Sequence, residues 1–197
     1  CFSSGGDFRE LRGTREDLLY DDAVSQVVAA ILASDRIIVA AIEGPCMGAA
    51  ADIALACDYR IAGAGAFLQI PAVRLGLLYN PEAINRLRRR YPPDTVRRLL
   101  LTGERFDGQV ACQAGLFSRV VSRGASAGTA VRDLAALGPQ HADAVRATKR
   151  LLSDLETGQA SPPDWQERRT ELLDSESRRE AVRQMHARFI HKTEPPR

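Results

Sequence analysis

Two short runs hold the residues whose types and spacing could do chemistry. The first is Ile42-Glu43-Gly44-Pro45-Cys46-Met47-Gly48-Ala49-Ala50-Ala51-Asp52-Ile53-Ala54-Leu55-Ala56-Cys57-Asp58. It reads as a buried strand, a Gly-Pro turn and a helix opening on a glycine and a row of small side chains. Such an opening admits another molecule close to the backbone and leaves the first helical N–H groups unpaired. Unpaired N–H groups at the positive end of a helix stabilise a developing oxyanion. The second run, Cys1-Phe2-Ser3-Ser4-Gly5-Gly6-Asp7-Phe8, is a glycine-rich turn of similar character. One donor from each turn would make an oxyanion hole. Asp52 follows one helical turn beyond Ala49, so its carboxylate is expected to face the same pocket as a base or a water-holding group.

The elements that must position these groups follow from periodicity. Glu16 to Ser34 has helical apolar spacing through Leu18, Leu19, Ala23, Val24, Val27, Val28, Ile31 and Leu32. Arg36 to Ile42 is a continuous apolar run suited to a strand buried on both faces. A helix is expected over Ala49 to Ala56, then short strands over Asp58 to Ala62 and Ala66 to Gln69. Asn80-Pro81-Glu82 starts the next helix: asparagine caps, proline takes the first helical position, and the acid complements the dipole. That helix is expected to end near Arg90, where Tyr91-Pro92-Pro93 breaks it. Helices over Pro93 to Leu101 and Gly108 to Ala114 come next. After Val121 helical spacing covers Ala127 to Leu137, Gln140 to Glu156 and Trp165 to Phe189, with a break near Asp174-Ser175 and a loop over Gly158 to Pro163. No internal repeat or low-complexity tract is present.

Composition bounds the function classes. With 197 residues, 45% of them apolar, the chain can build one core. A formal charge of +2 is too small to argue for nucleic acid. Arginine clusters only at Arg86-Leu87-Arg88-Arg89-Arg90 and Arg97-Arg98, read as a solvated helix face or as a landing site for phosphates. Cys1, Cys46, Cys57 and Cys112 lack metal spacing and read as reduced thiols. His141, His186 and His191 have unrelated spacings and read as surface residues. No Gly-x-Ser-x-Gly elbow surrounds Ser3-Ser4, which argues against a Ser-His-Asp hydrolase. No membrane-length apolar stretch or signal peptide is visible, so a cytoplasmic protein is expected.

The two motifs together resemble the crotonase (enoyl-CoA hydratase/isomerase) superfamily. Its signatures are a small-Phe-small-small-Gly-x-Asp turn and a Gly-Pro/Ala-x-x-Gly-x-x-x-Glu/Asp turn. Phe67-Leu68-Gln69-Ile70-Pro71-Ala72-Val73-Arg74-Leu75-Gly76 looks like the family's third block, and Gly115 to Val121 like its fourth. The resemblance covers nearly the whole chain. It implies an α/β fold: a spiral of ββα repeats over 1–122, followed by a C-terminal helical region over 123–197 that joins subunits as a homotrimer or a dimer of trimers. Family members carry strands before the first signature. Here the sequence opens on it, and those strands are expected to precede it in the full protein, because their loss would expose sheet edges.

The resemblance also implies site roles. The oxyanion donors would be the N–H groups of Ser3 and Ala49. Asp52 takes the position of the first hydratase glutamate, where dienoyl-CoA isomerases carry aspartate; the alternative is an aspartate merely paired with an arginine such as Arg60. The second hydratase glutamate falls on Ala72, a departure that removes half of the hydration machinery. Gly76-Leu77-Leu78-Tyr79-Asn80 resembles the version in methylmalonyl-CoA decarboxylase, so Tyr79 and Asn80 become candidate catalytic groups; the alternatives are a pocket-lining aromatic and a helix cap. Glu82 is a further candidate for the missing acid. Cys1, Gly5, Asp7, Phe8, Gly48, Pro71, Ala72 and Leu75 would contact substrate or coenzyme A, with Asp7 holding its own glycine turn. The small and apolar residues Ala49, Ala50, Ala72, Leu75, Leu77 and Leu78 imply an apolar acyl group. The expectation is an enzyme of acyl-CoA metabolism that stabilises a thioester enolate, by isomerisation or decarboxylation as readily as by hydration. It needs no cofactor beyond the coenzyme A of its substrate, no metal, no nucleic acid and no membrane. The competing reading is a non-catalytic, CoA-binding or structural family member.

Overall fold

The computed structural model describes residues 2–7, 9–138 and 141–193, without the side chains of 188–193. Cys1 and Phe8, both expected near coenzyme A, lie outside the described residues. The chain divides into two compact units, Cys1–Asp133 and Leu134–Arg197.

In the first unit a short 3₁₀ turn leads into α1 (Leu18–Ala33), followed by β1 (Val39–Ile42), β2 (Pro45–Met47) and α2 (Ala49–Ala56). Next come β3 (Tyr59–Gly63), β4 (Phe67–Gln69), a 3₁₀ turn over Ala72–Leu75, α3 (Pro81–Arg90) and α4 (Pro93–Leu101). β5 (Phe106–Asp107), α5 (Gly108–Gln113), β6 (Arg119–Val121) and α6 (Ser126–Ala135) complete it. The strands form two three-stranded sheets, β1-β3-β6, all parallel, and β2-β4-β5, in which only β5 is antiparallel. Successive strand pairs, β1 with β2 and β3 with β4, each put one strand into each sheet before a helix follows. That alternation is the spiral the sequence implies.

The core lies between the sheets and α2. Ile42, Cys46, Leu55, Leu68, Ile70, Phe106 and Leu116 are all fully buried. Ala51 and Ala54 on α2 are equally buried, and their small side chains let the helix approach the strands closely. β1 is not buried on both faces: Ala40 and Ile42 are buried while Val39 and Ala41 are half-buried. α1 departs further from expectation. Only Val28 of its apolar stripe is fully buried, and Leu18, Leu19 and Val27 are exposed. The helix turns Val28 and Ile31 inward, with Ile31 packed against the core, and Asp21 and Ser25, half-buried on the same side, are left for polar contacts.

The division after Asp133 places α6 largely with the first unit, whereas the sequence puts the boundary after residue 122. The reason is local. Glu43 accepts hydrogen bonds from the backbone N–H groups of Gly124 (2.7 Å) and Ser126 (2.8 Å), Ala64 donates to the Val121 carbonyl, and Arg119 pairs with Asp133 at 2.9 Å. Ser126, Thr129 and Ala130 are buried on the inner face of α6.

The second unit holds α7 (Ala142–Thr157), α8 (Pro162–Leu173) and α9 (Glu176–Thr193). Gly158 ends α7 in the left-handed conformation, and Asp174-Ser175 separates α8 from α9. These helices border a cavity of about 490 Å³ lined by Leu151, Trp165, Leu172 and Ala181, with His141 half-buried beside it. His141 is therefore not the surface residue expected. Among the described residues no helix is long and apolar enough to cross a membrane, and no group of His, Cys, Asp and Glu could hold a metal ion.

Candidate active site

The two glycine-rich turns meet. Ser3 forms a parallel bridge with Cys46 of β2, its N–H donating to the Pro45 carbonyl (2.9 Å) and its carbonyl accepting from the Met47 N–H (3.1 Å). Beyond that bridge the chain turns at Gly5, whose φ of 94° is open to glycine and strained for other residues. A Cβ on Gly5 would stand 2.8 Å from the Met47 carbonyl oxygen. Gly48, also at positive φ (54°), faces the Cα of Gly5 at 3.9 Å from its own Cβ position. Two side-chain-free residues thus bring the end of the first turn against the start of α2.

This arrangement corrects one expected donor. The Ser3 N–H is consumed by Pro45 and cannot receive an oxyanion. Consecutive N–H groups of an extended segment point in opposite directions, so the Ser4 N–H turns away from β2, and it has no partner among the described residues. Sequence reasoning did not consider Ser4; the alternation of an extended segment paired at Ser3 is the signal that brings its N–H into consideration. The Ala49 N–H is unpaired within its helix. Ala49 is the first residue of α2, and the first hydrogen bond back into that helix starts only at Asp52, whose N–H donates to Gly48 (3.2 Å). Its own N–H therefore has no intrahelical acceptor.

Asp52 is 5% exposed. Its partner is Arg86 of α3, through a short charged hydrogen bond from Nη2 to Oδ1. Arg60 is occupied elsewhere: its guanidinium donates to the carbonyls of Leu116 and Cys57 and lies over the Tyr91 ring. Burial raises the Asp52 carboxyl above its ordinary value; Arg86 opposes that rise, and the nearby Asp21 carboxylate adds to it. The Nε of Arg86 is buried and without a hydrogen-bond partner among the described residues. Because Arg86 sits in this pair, the expected basic patch is dispersed. Arg90 donates to the Ala56 carbonyl (3.1 Å), and Arg98 pairs with Glu104 at 2.5 Å over the Phe106 ring.

Tyr79 is half-buried against the core. Its hydroxyl is pushed well above the normal phenol range, first by burial and then by the charge of Asp52, so it remains a hydrogen-bond donor. Asn80, expected as its catalytic companion, is committed. Its Oδ1 accepts from the N–H groups of Glu82 (2.9 Å) and Ala83 (3.2 Å), and its Nδ2 donates to Ser25 Oγ (3.2 Å). The side chain caps α3 and ties it to α1, which leaves one Nδ2 hydrogen uncommitted. Glu82 is exposed at the start of α3.

The remaining expected contacts are dispersed. Asp7 is exposed and braces the residues after it: its carboxylate accepts from the Arg9 N–H (3.0 Å) and pairs with the Arg9 guanidinium, while its carbonyl accepts from the Glu10 N–H. It does not hold the glycine turn, which is closed instead by the Gly5 N–H donating to Ser3 Oγ (3.2 Å). Pro71 and Ala72 open the 3₁₀ turn, and Ala72 is buried with no carboxylate to offer. Leu75, Leu77 and Leu78 are exposed at 56%, 47% and 78%.

The model of the family described as enoyl-CoA hydratase/isomerase matches residues 1–196. The chain belongs to this family. The solved structure of an enoyl-CoA hydratase/isomerase family protein from Hyphomonas neptunium superposes with a TM-score of 0.85 at 29% identity, covering 95% of this chain and 73% of that one. Among curated relatives, a probable enoyl-CoA hydratase of Mycobacterium bovis is 31% identical over 154 residues, 78% of this chain and 60% of its own length. The 2,3-dehydroadipyl-CoA hydratase of Escherichia coli is 31% identical over 119 residues, 60% of this chain and 47% of that protein. The chain thus spans 60% or less of the length of these two relatives. Its α/β architecture is the crotonase fold.

Proposed function

We propose that this enoyl-CoA hydratase/isomerase family member acts on an acyl-CoA thioester by stabilising its enolate between the N–H groups of Ser4 and Ala49, with Asp52 as the proton-handling carboxylate. The observation that carries the reading is the packing of Gly5 against Gly48, which joins a turn bearing an unused N–H to the unpaired start of α2. Removing a proton from Cα, or adding oxygen at Cβ, puts charge on the thioester oxygen. Two preorganised donors then stabilise that charge more than they stabilise the ground state. Asp52, one helical turn further along, is buried enough to be a stronger base than a solvated aspartate and is kept ionisable by Arg86. No metal or second cofactor is needed for this chemistry.

A decarboxylase reading rests on one observation: Tyr79 stays protonated beside Asp52 and could hold a leaving carboxylate. Self-association is supported by the exposed apolar residues Leu152, Leu155 and Met185 of the helical unit. The test is solvent deuterium exchange at Cα of butyryl-CoA, run beside crotonyl-CoA hydration and CO2 release from methylmalonyl-CoA. The reading expects exchange that falls by about 10²–10⁴-fold in Asp52→Asn. CO2 release without exchange moves the assignment to Tyr79. Saturable acyl-CoA binding with neither reaction assigns the non-catalytic role.

A further inference from the structure

The family resemblance implies a second carboxylate at position 72, and that position holds a buried alanine. The structure brings a second carboxylate toward Asp52 by another route. α1 packs on α2, the helix that carries Asp52. At its first turn the ring of Tyr20 lies over Gly6 of the oxyanion turn, so close that a Cβ on Gly6 would stand 3.0 Å from the Tyr20 hydroxyl oxygen. Further along, Ser25 Oγ accepts the hydrogen bond from Asn80, next to Tyr79. Asp21 lies between these two anchors. It is adjacent to Tyr20 and one helical turn before Ser25, and residues four apart share a helix face. It therefore lies along α1 between the residue that meets the first glycine turn and the one that meets the Tyr79–Asn80 turn, on the half-buried side of the helix, and its charge acts on Asp52.

We propose that Asp21 is the second carboxylate of this active site, working with Asp52 to hold and activate the water that adds to Cβ of an enoyl-CoA. The proposal rests on the enolate reading above and restores to it the second carboxylate of hydration that position 72 lacks. In the step, the water oxygen bonds to Cβ while one water proton passes to a carboxylate. The C=C π pair shifts toward the carbonyl carbon, and the thioester oxygen takes the charge between Ser4 and Ala49. That same proton then passes from the carboxylic acid to Cα as the thioester carbonyl reforms. One water is consumed and both carboxylates end as they began.

The ordinary explanation of Asp21, an acid complementing the dipole at the start of α1, would be met as well by a solvated side chain. Asp22 beside it is exposed. Asp21 is instead half-buried, and desolvation, with Asp22 behind it, raises its carboxyl above the ordinary value. Its charge also reaches Asp52 and Tyr79. A carboxylate kept partly out of water next to a second one carries a cost that a cap has no need to bear.

The test measures crotonyl-CoA hydration and butyryl-CoA Cα exchange for wild type, Asp21→Asn, Asp21→Glu and Asp22→Asn, with thermal melts confirming the fold of each. Asp21→Asn is expected to lower kcat for hydration by about 10²–10⁴-fold at unchanged KM, Asp21→Glu to recover part of it, and Asp22→Asn to match wild type. The acidic limb of the pH–rate profile of residual activity is expected to move to lower pH in Asp21→Asn. Asp52 then loses a like-charged neighbour, while Arg86, Tyr79 and Tyr20 around it are unchanged. Wild-type kcat in Asp21→Asn, or a loss shared by Asp22→Asn without movement of the limb, overturns the assignment while leaving the enolate reading intact. A wild-type protein that neither hydrates nor exchanges overturns the enolate reading and this assignment with it.

Discussion

Replacing Arg86 by methionine tests the charge logic of the site directly. Asp52 and Arg86 have side-chain exposures of 7% and 13%, so neither charge can turn to water for solvation. Removing one partner of a buried pair costs about 3–5 kcal/mol, because the survivor is left uncompensated. Asp52 has an escape, which is to fold protonated. At pH 7 that costs about 1.4 kcal/mol for each pH unit above the unfolded-state pKa of about 3.9, or roughly 4 kcal/mol. The two routes agree in size, and the second predicts a slope. The folded variant holds one proton that the unfolded chain has released, so its stability falls as pH rises. Relative to wild type, Arg86→Met is expected to lose about 4 kcal/mol at pH 7 but only about 1.5 kcal/mol at pH 5. The double variant Asp52→Asn/Arg86→Met has no proton to bind, so it should recover much of the loss and show no such slope. Urea denaturation of the three proteins at pH 5, 6 and 7 measures this. A loss below about 1 kcal/mol that does not change with pH would show that Asp52 is solvated and that the ion pair does not govern it.

Two further outcomes follow from the same geometry. Ser4→Pro deletes the proposed donor, and Ser3, extended in its bridge with β2, already has the conformation that a following proline requires. Steady-state kinetics should show a kcat about 10²–10³-fold lower with acyl-CoA binding retained, whereas unchanged kcat would remove Ser4 from the oxyanion hole. At Glu43 the Ser126 side chain close by, followed by the N–H groups of Gly124 and Ser126 that donate to it, holds the carboxyl below the usual range. Its contribution to stability is therefore present above the unfolded-state pKa and is lost as pH falls through the lower folded value. Glu43→Gln should melt below wild type at pH 7, and the gap should close in acid; a gap that persists there would refute the charge as its cause.

What the sequence made legible was whatever depended on neighbours along the chain. The limits of α2 and α4 could be read from periodicity and proline. The capping role of Asn80 was visible in Asn80-Pro81-Glu82, and the structure adds only the bond to Ser25 that takes up its other end. The errors arose where the answer lay across the fold. Ser3 and Ser4 are indistinguishable in a glycine-rich turn until one knows which of them pairs with β2. Arg60 and Arg86 are equally plausible partners for Asp52 in a sequence rich in arginine; α3 decides by delivering Arg86 through a helix whose start is fixed at Asn80. The apolar spacing of α1 gave a helix correctly but not its rotation. That rotation determines whether Leu18 and Leu19 or Tyr20 and Asp21 face inward.

That rotation also bears on the kind of acyl group the site can take. Asp52 alone is balanced by Arg86, a neutral pair that would tolerate a carboxylated acyl chain and leave Tyr79 free to hold its carboxylate. Asp21 on the same side makes the sum of the three charges negative. A second anion entering a poorly solvated space beside two carboxylates is repelled by several-fold more than it would be in water, since the interaction scales inversely with the effective dielectric. A neutral enoyl chain meets no such opposition and brings its developing charge to the far end of the site, at Ser4 and Ala49. If Asp21 and Asp52 act together as proposed, the charge balance that suits them to handling water disfavours a malonyl-type substrate, and the proposal therefore expects hydration over loss of CO2.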